Sequence, residues 1–265
     1  MNARTDAIAE PRVLRSDAAG VATLTLNRPA QFNAIDSAML DALQAALEAV
    51  AADKDVRVVV IAGAGRAFSP GHDLKEMLAN PSETFAGDLF HRCSNLMMSI
   101  QWLPQPVIAR VHGIATAAGC QLVAACDLAV ASDDARFATS GINFGLFCAT
   151  PAVPVARNIA VKRAFEMLFT GEFIDAPTAL TWGLVNRVVP AGDLDGAVAA
   201  LAATIAEKPP EVIAAGKAFF YRQLAVPVET AYALASPHIT ANLLGDAAQE
   251  GLGAFVAKRK PRWGD

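Results

Sequence analysis

This chain has few charged residues for its length, and the missing charge excludes one class of partner. Only 18% of the 265 residues are charged, and the formal net charge is −4. A protein that binds nucleic acid favours a basic face that can neutralise phosphates. The charge balance therefore argues against a nucleic-acid partner.

Cysteines, histidines and long apolar runs are scarce as well. The four cysteines form no CxxC pair and the four histidines are scattered, so we expect no metal site. A chain of this size needs no disulfides, and reduced thiols are typical inside the cell. No apolar run approaches the roughly 20 residues that span a bilayer. We therefore expect a cytoplasmic protein that contacts no membrane.

The N-terminal segment supports that expectation. Its residues, MNARTDAIAEPR, mix acids and bases without an apolar stretch, so they do not resemble a signal peptide. They are also not the Arg-rich, acid-poor sequence of a mitochondrial presequence.

Hydrophobic residues, in contrast, are plentiful at 54%. They suffice for the core of one large domain, or of one domain with a small appendage. A soluble monomer rarely leaves large apolar patches in water, so this excess predicts burial between subunits.

Strand and helix patterns alternate along the first half of the chain. Strands are predicted at 21–26, 56–62, 107–111, 128–131 and 184–189. Helices are predicted at 36–52, 89–103, 119–125, 161–170, 176–182, 194–207, 210–224 and 228–248. The alternation alone suggests a doubly wound α/β sheet, followed by a mostly helical C-terminal part.

Two segments carry the strongest chemical signal. They are AFSPGHDLKEM at 67–77 and HGIATAAGCQLVAACDLAV at 112–130. Each places glycine and other small residues between a strand and a helix, where backbone N–H groups are left unpaired. Two such N–H groups from separate loops can bind one developing negative oxygen, which is an oxyanion hole.

Together with LNRPAQFNAID at 26–36 and GLGAFVAKRKPRW at 251–263, these motifs follow the order found in the crotonase, or enoyl-CoA hydratase/isomerase, superfamily. The chain resembles that family from about Val21 to Trp263. The resemblance implies an α/β fold whose core, at 1–193, is a ClpP-like spiral of ββα turns with an acyl-CoA site. It also implies a C-terminal helical region at 194–265 that builds a homotrimer, usually stacked into a hexamer.

The same resemblance implies roles for individual residues. The backbone N–H groups of His72 and Ala118 match the oxyanion-hole donors, and the His72 imidazole is expected to have no direct role. CoA is expected as part of the substrate, with no permanently bound cofactor.

Four further positions match those that hold CoA in relatives. Arg66 and Lys75 match residues at the CoA phosphates, and Pro70 lies near the adenine pocket. Lys258 belongs to a basic tail that approaches the adenosine phosphate, often of an adjacent subunit.

The residues that define classical hydration are missing. The hydratases of the family hold one water between two glutamates, which act as general acid and base. The matching positions here are Gln121 and Gly141. Glutamine can hold a water but cannot take its proton at neutral pH, and glycine offers no side chain.

Three hypotheses follow from this difference. The first is an enzyme that stabilises a thioester enolate without the two glutamates, for example in decarboxylation or thioester cleavage. The second is an acyl-CoA-binding protein without catalysis. The third is a slow hydratase in which Gln121, with Ser140 or Thr139, orders the water. Asp73 and Asp127 are expected to be structural.

Overall fold

The computed structural model describes residues 10–263, which form nine strands and eleven α-helices. The N-terminal residues 1–9, which carry most of the expectation about targeting segments, lie outside the described part. The strands are β1 (Val13–Ala18), β2 (Val21–Leu26), β3 (Val58–Gly63), β4 (Val107–Val111), β5 (Ile114–Thr116), β6 (Leu128–Ser132), β7 (Arg136–Ala138), β8 (Ile174–Asp175) and β9 (Arg187–Val189). The helices are α1 (Ser37–Ala52), α2 (Leu74–Ala79), α3 (Glu83–Trp102), α4 (Ala118–Ala125), α5 (Ala149–Asn158), α6 (Val161–Thr170), α7 (Ala176–Trp182), α8 (Leu194–Ala206), α9 (Pro210–Leu224), α10 (Val228–Leu244) and α11 (Asp246–Val256).

Six strands form a large sheet in the order β1-β2-β3-β4-β6-β9. The first pair is antiparallel and the other neighbours are parallel. Both faces of β3 are covered, which explains its unbroken run VVVIA. Val59 and Ile61 belong to the main core with α1, α3 and α4, whereas Val58 and Val60 face a second cluster with α8.

A smaller sheet, β5-β7-β8, forms the second layer. Isolated parallel bridges extend it, between Ser69 and Ala115 and between Ile35 and His72. After each of the strands β3, β4 and β6, the chain crosses into this layer and then enters a helix. The architecture is therefore the ββα spiral that the resemblance implies, and the doubly wound sheet suggested by alternation is wrong.

Several predicted boundaries need correction. The helix predicted at 89–103 begins at Glu83, because Ser82 caps it by accepting a hydrogen bond from the N–H of Phe85 at 3.2 Å. The helix predicted at 228–248 ends at Leu244, since Gly245 adopts an extended conformation before α11. The strand β1, mostly exposed at the sheet edge, was not predicted.

The C-terminal helices differ from the core in their burial. Helix α9 is fixed to the core by Lys217, whereas α10 has no buried residue in the single chain. The division at residue 193 stays a prediction, and α8 packs on the large sheet. Among the described residues, no helix has the length and apolar character required to cross a membrane.

Candidate active site

The two glycine-rich segments meet at one point of the spiral. A Cβ on Gly71 would lie 2.9 Å from the backbone nitrogen of Ala118 and 3.1 Å from the carbonyl oxygen of Thr116. Gly71 also has a φ of +93°, which side chains rarely tolerate. Only glycine therefore allows the His72 loop to approach the start of α4 this closely.

Both backbone donors at this point lack a backbone acceptor within residues 10–263. Gly71 and Asp73 bond to Ile35 through their carbonyl and N–H groups, at 2.8 and 3.0 Å. Because successive N–H groups along an extended chain point to opposite sides, the N–H of His72 points away from Ile35. Ala118 is the first residue of α4, and a helix leaves its first N–H groups unpaired.

The turn that exposes Ala118 is strained. Ala117 caps α4 with a φ of +49° and a ψ of −121°, without a capping side chain. Its own N–H is bonded to the carbonyl of Ala138 at 3.0 Å, which fixes the turn on β7. Strain of this kind is concentrated at functional sites.

A cavity of about 690 Å³ lies against these donors. Most of its lining is apolar, and its polar or charged side chains are few. The lining includes Phe90, Ala117, Ala118, Ser140, Leu146 and Cys148. A largely apolar cavity with a few convergent polar groups is typical of a small-molecule site.

Asp73 is the one acidic side chain in the lining of this cavity, within the described residues. Its carboxylate accepts hydrogen bonds from the Arg28 guanidinium at 3.0 and 3.1 Å and from the first N–H groups of α2. Burial raises the pKa of Asp73, but Arg28 and these N–H groups outweigh it and lower the pKa overall. Asp73 is thus a structural cap, as predicted, and not a free general base.

The imidazole of His72 is buried beside Phe90, with the ring centroids 5.6 Å apart. Among the described residues neither ring nitrogen has a hydrogen-bond partner. Burial lowers its pKa, although the Ile35 carbonyl and Glu76 oppose the shift. The ring also lines the cavity described above, and its lowered pKa favours the neutral form.

The position matched to the second glutamate is closed by the chain itself. A Cβ on Gly141 would lie 2.5 Å from the carbonyl oxygen of Leu146 and 2.8 Å from Cys148 Sγ. The N–H of Leu146 bonds back to the Gly141 carbonyl at 3.0 Å. The segment 145–148 therefore fills the space that a side chain at 141 would need.

The other residues considered for ordering a water are placed unequally. Gln121 is buried with its amide oxygen 3.9 Å from Cys93 Sγ, and it does not line the cavity. Thr139 is also buried and bonds to the Met167 carbonyl at 2.9 Å, so it is directed elsewhere. Ser140 lines the cavity, and its hydroxyl lies 2.8 Å from that of Thr116.

The residues matched to CoA contacts lie at different places. Pro70 and Lys75 line the cavity, and Arg66 is exposed with its guanidinium 5.0 Å from the ring centre of cavity-lining Phe32. Lys258 is exposed just beyond α11 and does not line this cavity. Its neighbour Arg259 pairs with Glu250 and lowers the pKa of that carboxyl to about 2.

Two residues that position the loops of the site, Asn33 and Arg28, could not be identified from local sequence patterns. Asn33 is fully buried with a φ of +65°, and its side chain bonds to Arg28 N–H and to the carbonyls of Ala64 and Ala67. Arg28, which pairs with Asp73, follows strand β2. Its position in the sequence indicated only a turn. Both connect the loop after β2 to the loop that carries His72, and such long-range contacts are invisible in local sequence.

The fold and the site together define a class: a ββα-spiral protein with two unpaired backbone donors at an apolar cavity. Comparison with known proteins agrees. The family description "Enoyl-CoA hydratase/isomerase" matches residues 16–265. The chain belongs to this family, and its fold is the crotonase fold.

Individual relatives are similar over nearly the whole chain. Enoyl-CoA hydratase domain-containing protein 3, mitochondrial, from Xenopus laevis is 47% identical, over 92% of this chain and 83% of that protein. The human protein of the same name is 46% identical over 92% of this chain and 80% of that protein. The crystal structure of an enoyl-CoA hydratase from Mycobacterium smegmatis has a TM-score of 0.94 at 56% identity, covering 96% of this chain and 99% of that one.

These names correct one expectation. Four vertebrate relatives at 46–47% identity are named as mitochondrial proteins. The expectation of a cytoplasmic protein, which rested on composition and on the N-terminal segment, is therefore wrong.

Proposed function

We propose that this protein binds an acyl-CoA thioester and stabilises the enolate of its acyl group without the two-glutamate mechanism of hydration. The observation that carries the proposal is the pair of unpaired N–H groups, of His72 and Ala118, at an apolar cavity with no free carboxylate in its described lining. A thioester carbonyl held by both donors has a more acidic α-carbon, since the negative oxygen of the enolate is stabilised. One such donor contributes about 3–4 kcal/mol to rate.

CoA enters this proposal as part of the substrate. Lys75 lies at the cavity and supplies a cation for a phosphate, and the stacked Arg66 and Phe32 offer a charged, flat surface beside it. Pro70 contributes its backbone carbonyl to the same wall. Lys258 belongs to this set only if another subunit brings it near the cavity.

Because the cavity has no pair of carboxylates in its described lining, it favours reactions that need no abstraction of a proton. Decarboxylation reaches the enolate by loss of CO₂, so the two donors suffice for it. Slow hydration was proposed for Gln121 with Ser140 or Thr139; the position of Gln121 outside the cavity and the bond of Thr139 to the Met167 carbonyl argue against it. They favour a second candidate, an acyl-CoA-binding protein without catalysis.

The first test compares binding of butyryl-CoA with S-butyl-CoA, which lacks only the carbonyl oxygen. If the two N–H groups hold that oxygen, butyryl-CoA binds at least about tenfold more tightly by isothermal titration. Equal affinities would contradict the oxyanion hole, and no binding of either would contradict the acyl-CoA site.

The second test follows the conjugated enoyl-thioester absorbance of crotonyl-CoA at high protein concentration. We expect bound but unconsumed crotonyl-CoA, and rapid loss of absorbance would refute the proposal. Mass spectrometry of malonyl-type CoA substrates then separates the two candidates: loss of CO₂ indicates the enzyme, and full recovery indicates binding alone.

A further inference from the structure

His112, a histidine that does not line the cavity, holds the loop that carries Arg66. It follows β4, and its ring Nε2 lies 2.9 Å from the carbonyl oxygen of Gly65. Its backbone carbonyl also accepts a hydrogen bond from the N–H of Phe68 at 3.0 Å. A side chain at the next residue, Gly113, would collide with the Arg66 carbonyl. His112 and its neighbour therefore contact this loop before, at and after Arg66.

The direction of each ring hydrogen bond follows from the chemistry of arginine. Arg110 Nη1 lies 3.1 Å from His112 Nδ1, and a guanidinium has only donors. Nδ1 therefore accepts, which requires a neutral ring with its hydrogen on Nε2. That hydrogen is donated to the Gly65 carbonyl, which has no other hydrogen-bond partner within residues 10–263.

Asp195 fixes the guanidinium that sets this tautomer. Its carboxylate, in the first turn of α8, accepts a hydrogen bond from Arg110 Nε. Arg110 in turn holds the pKa of that carboxyl below its ordinary value. With Nε bound to a carboxylate, the guanidinium keeps its Nη1 group on His112. A chain of three polar side chains thus ends at the loop of Arg66.

From this arrangement we infer that His112, in the tautomer set by Arg110, is a positioning residue that holds Arg66 for the phosphates of CoA. The inference rests on the proposed acyl-CoA function. The Arg66 guanidinium lies 5.0 Å from the ring centre of Phe32, which lines the cavity. Arginine binds phosphate through a fork of fixed geometry. A loop that is ordered before the ligand arrives lowers the entropy cost of binding.

This role is separable from the binding of the acyl group. The thioester carbonyl is assigned to the N–H groups of His72 and Ala118, whereas Arg66 is assigned to the phosphates at another part of the ligand. Loss of the His112 hydrogen bond should therefore weaken ligands that carry phosphates. It should leave a phosphate-free thioester of the same acyl group unaffected.

Isothermal titration with butyryl-CoA and butyryl-pantetheine, which lacks the phosphates and the nucleotide, tests the inference. His112→Leu is expected to weaken butyryl-CoA about 3- to 10-fold, the contribution of one neutral hydrogen bond, and to leave butyryl-pantetheine unchanged. His112→Gln keeps one donor and one acceptor on the side chain and should restore the affinity for butyryl-CoA. His91→Leu on the exposed side of α3 is the matched control.

A double-mutant cycle shows whether His112 acts through Arg66. In the Arg66→Ala background, His112→Leu should have no further effect on butyryl-CoA, because the side chain that it positions is gone. Arg110→Met removes the donor to Nδ1 but keeps the ring, so it should weaken butyryl-CoA less than His112→Leu does. If His112→Leu does not fold, Arg110→Met takes its place in the same cycle.

The outcomes distinguish the inference from the proposed function. Unchanged butyryl-CoA affinity in His112→Leu, equal losses for the two ligands, a loss that His112→Gln does not restore, or full additivity in the cycle would overturn the positioning role alone. Where butyryl-pantetheine binds too weakly to titrate, the cycle decides. Failure of the unchanged protein to bind butyryl-CoA would overturn the acyl-CoA site.

Discussion

Ala117 holds the turn that exposes one donor, in a conformation that suits glycine. Its φ of +49° stores strain that the rest of the structure compensates. We predict that Ala117→Gly stabilises the protein by about 1 kcal/mol in urea unfolding, because glycine adopts this conformation freely. Binding of acyl-CoA should be retained.

The matched control is Ala124→Gly, within the buried helix α4. There the same change introduces backbone freedom into a regular helix and should destabilise by about 1 kcal/mol or more. Equal effects of the two changes would mean that Ala117 carries no strain.

His72 predicts a pH dependence of stability. Burial lowers its folded-state pKa below the ordinary value of 6.5. As the pH falls through 6.5, the unfolded chain takes up a proton that the folded chain refuses, so stability falls. His72→Met should flatten urea-unfolding stability between pH 7.5 and 5.5, and His91→Met, on the exposed side of α3, should not. An unchanged slope in His72→Met would show that the ring is not the cause.

Between elements, the contact of Gly141 with the segment 145–148 shapes the cavity. A methyl group at 141 would meet the Leu146 carbonyl at 2.5 Å. We predict that Gly141→Ala destabilises by about 1–3 kcal/mol and weakens acyl-CoA binding, since Leu146 and Cys148 line the cavity. Thermal unfolding and titration with butyryl-CoA measure the two effects.

The control is Gly87→Ala in α3, where nothing lies within 4 Å of the new methyl group. It should stabilise the protein by about 1 kcal/mol as an ordinary helix substitution.

The close contact at Gly141 also predicts that glutamates placed at both 121 and 141 do not create a hydratase. A large gain in crotonyl-CoA hydration would show that the segment moves aside without penalty.

Local signals explain which elements could be predicted from the sequence. Helix α6 was predicted with its observed bounds because an apolar pattern ends at Gly171, whose left-handed conformation stops the helix. Strands β5, β7 and β8 have only two or three residues, and neighbouring strands define them more than their own sequence does. The site divides in the same way, since the glycine-rich turns are visible locally but the contact of Thr116 with Ser140 joins residues 24 apart.

At the scale of the whole molecule, the buried ion pair of Lys217 with Asp127 connects the C-terminal helices, through α9, to the core. Lys217 Nζ donates to Asp127 Oδ2 at 2.6 Å and to the carbonyls of Ile100 and Gln105 at 2.8 and 2.9 Å. Asp127 also accepts from the Val107 N–H, so it is structural as predicted. Lys217→Met leaves this carboxylate without its cation and should destabilise by about 3–5 kcal/mol.

Chemical denaturation measures that loss. Lys162→Met on the surface of α6 is the control and should change stability by less than about 0.5 kcal/mol. Combining Lys217→Met with Asp127→Asn should recover part of the loss, because no charge is then left unpaired. Full additivity of the two changes would contradict a direct pair.

The apolar excess of the sequence reappears on the last helices. Helix α10 has no buried residue in the single chain, and its large apolar side chains lie in water: Tyr232, Ile239 and Leu244 are 72%, 61% and 73% exposed. A helix with apolar residues on all sides is stable in water only when other surfaces cover it. These exposed residues predict association of subunits, and the resemblance to the family implies a homotrimer or a hexamer, with a mass three or six times 27.7 kDa by light scattering.

Ile239→Asp should shift that mass toward the monomer, because association would bury an unpaired carboxylate. Glu48→Asp on the exposed side of α1 is the control and should leave the mass unchanged. A single species at 27.7 kDa for the unchanged protein would refute association. It would also remove the neighbouring subunit through which Lys258 is proposed to reach a bound CoA, so the mass and the proposed role of the basic tail are tested together.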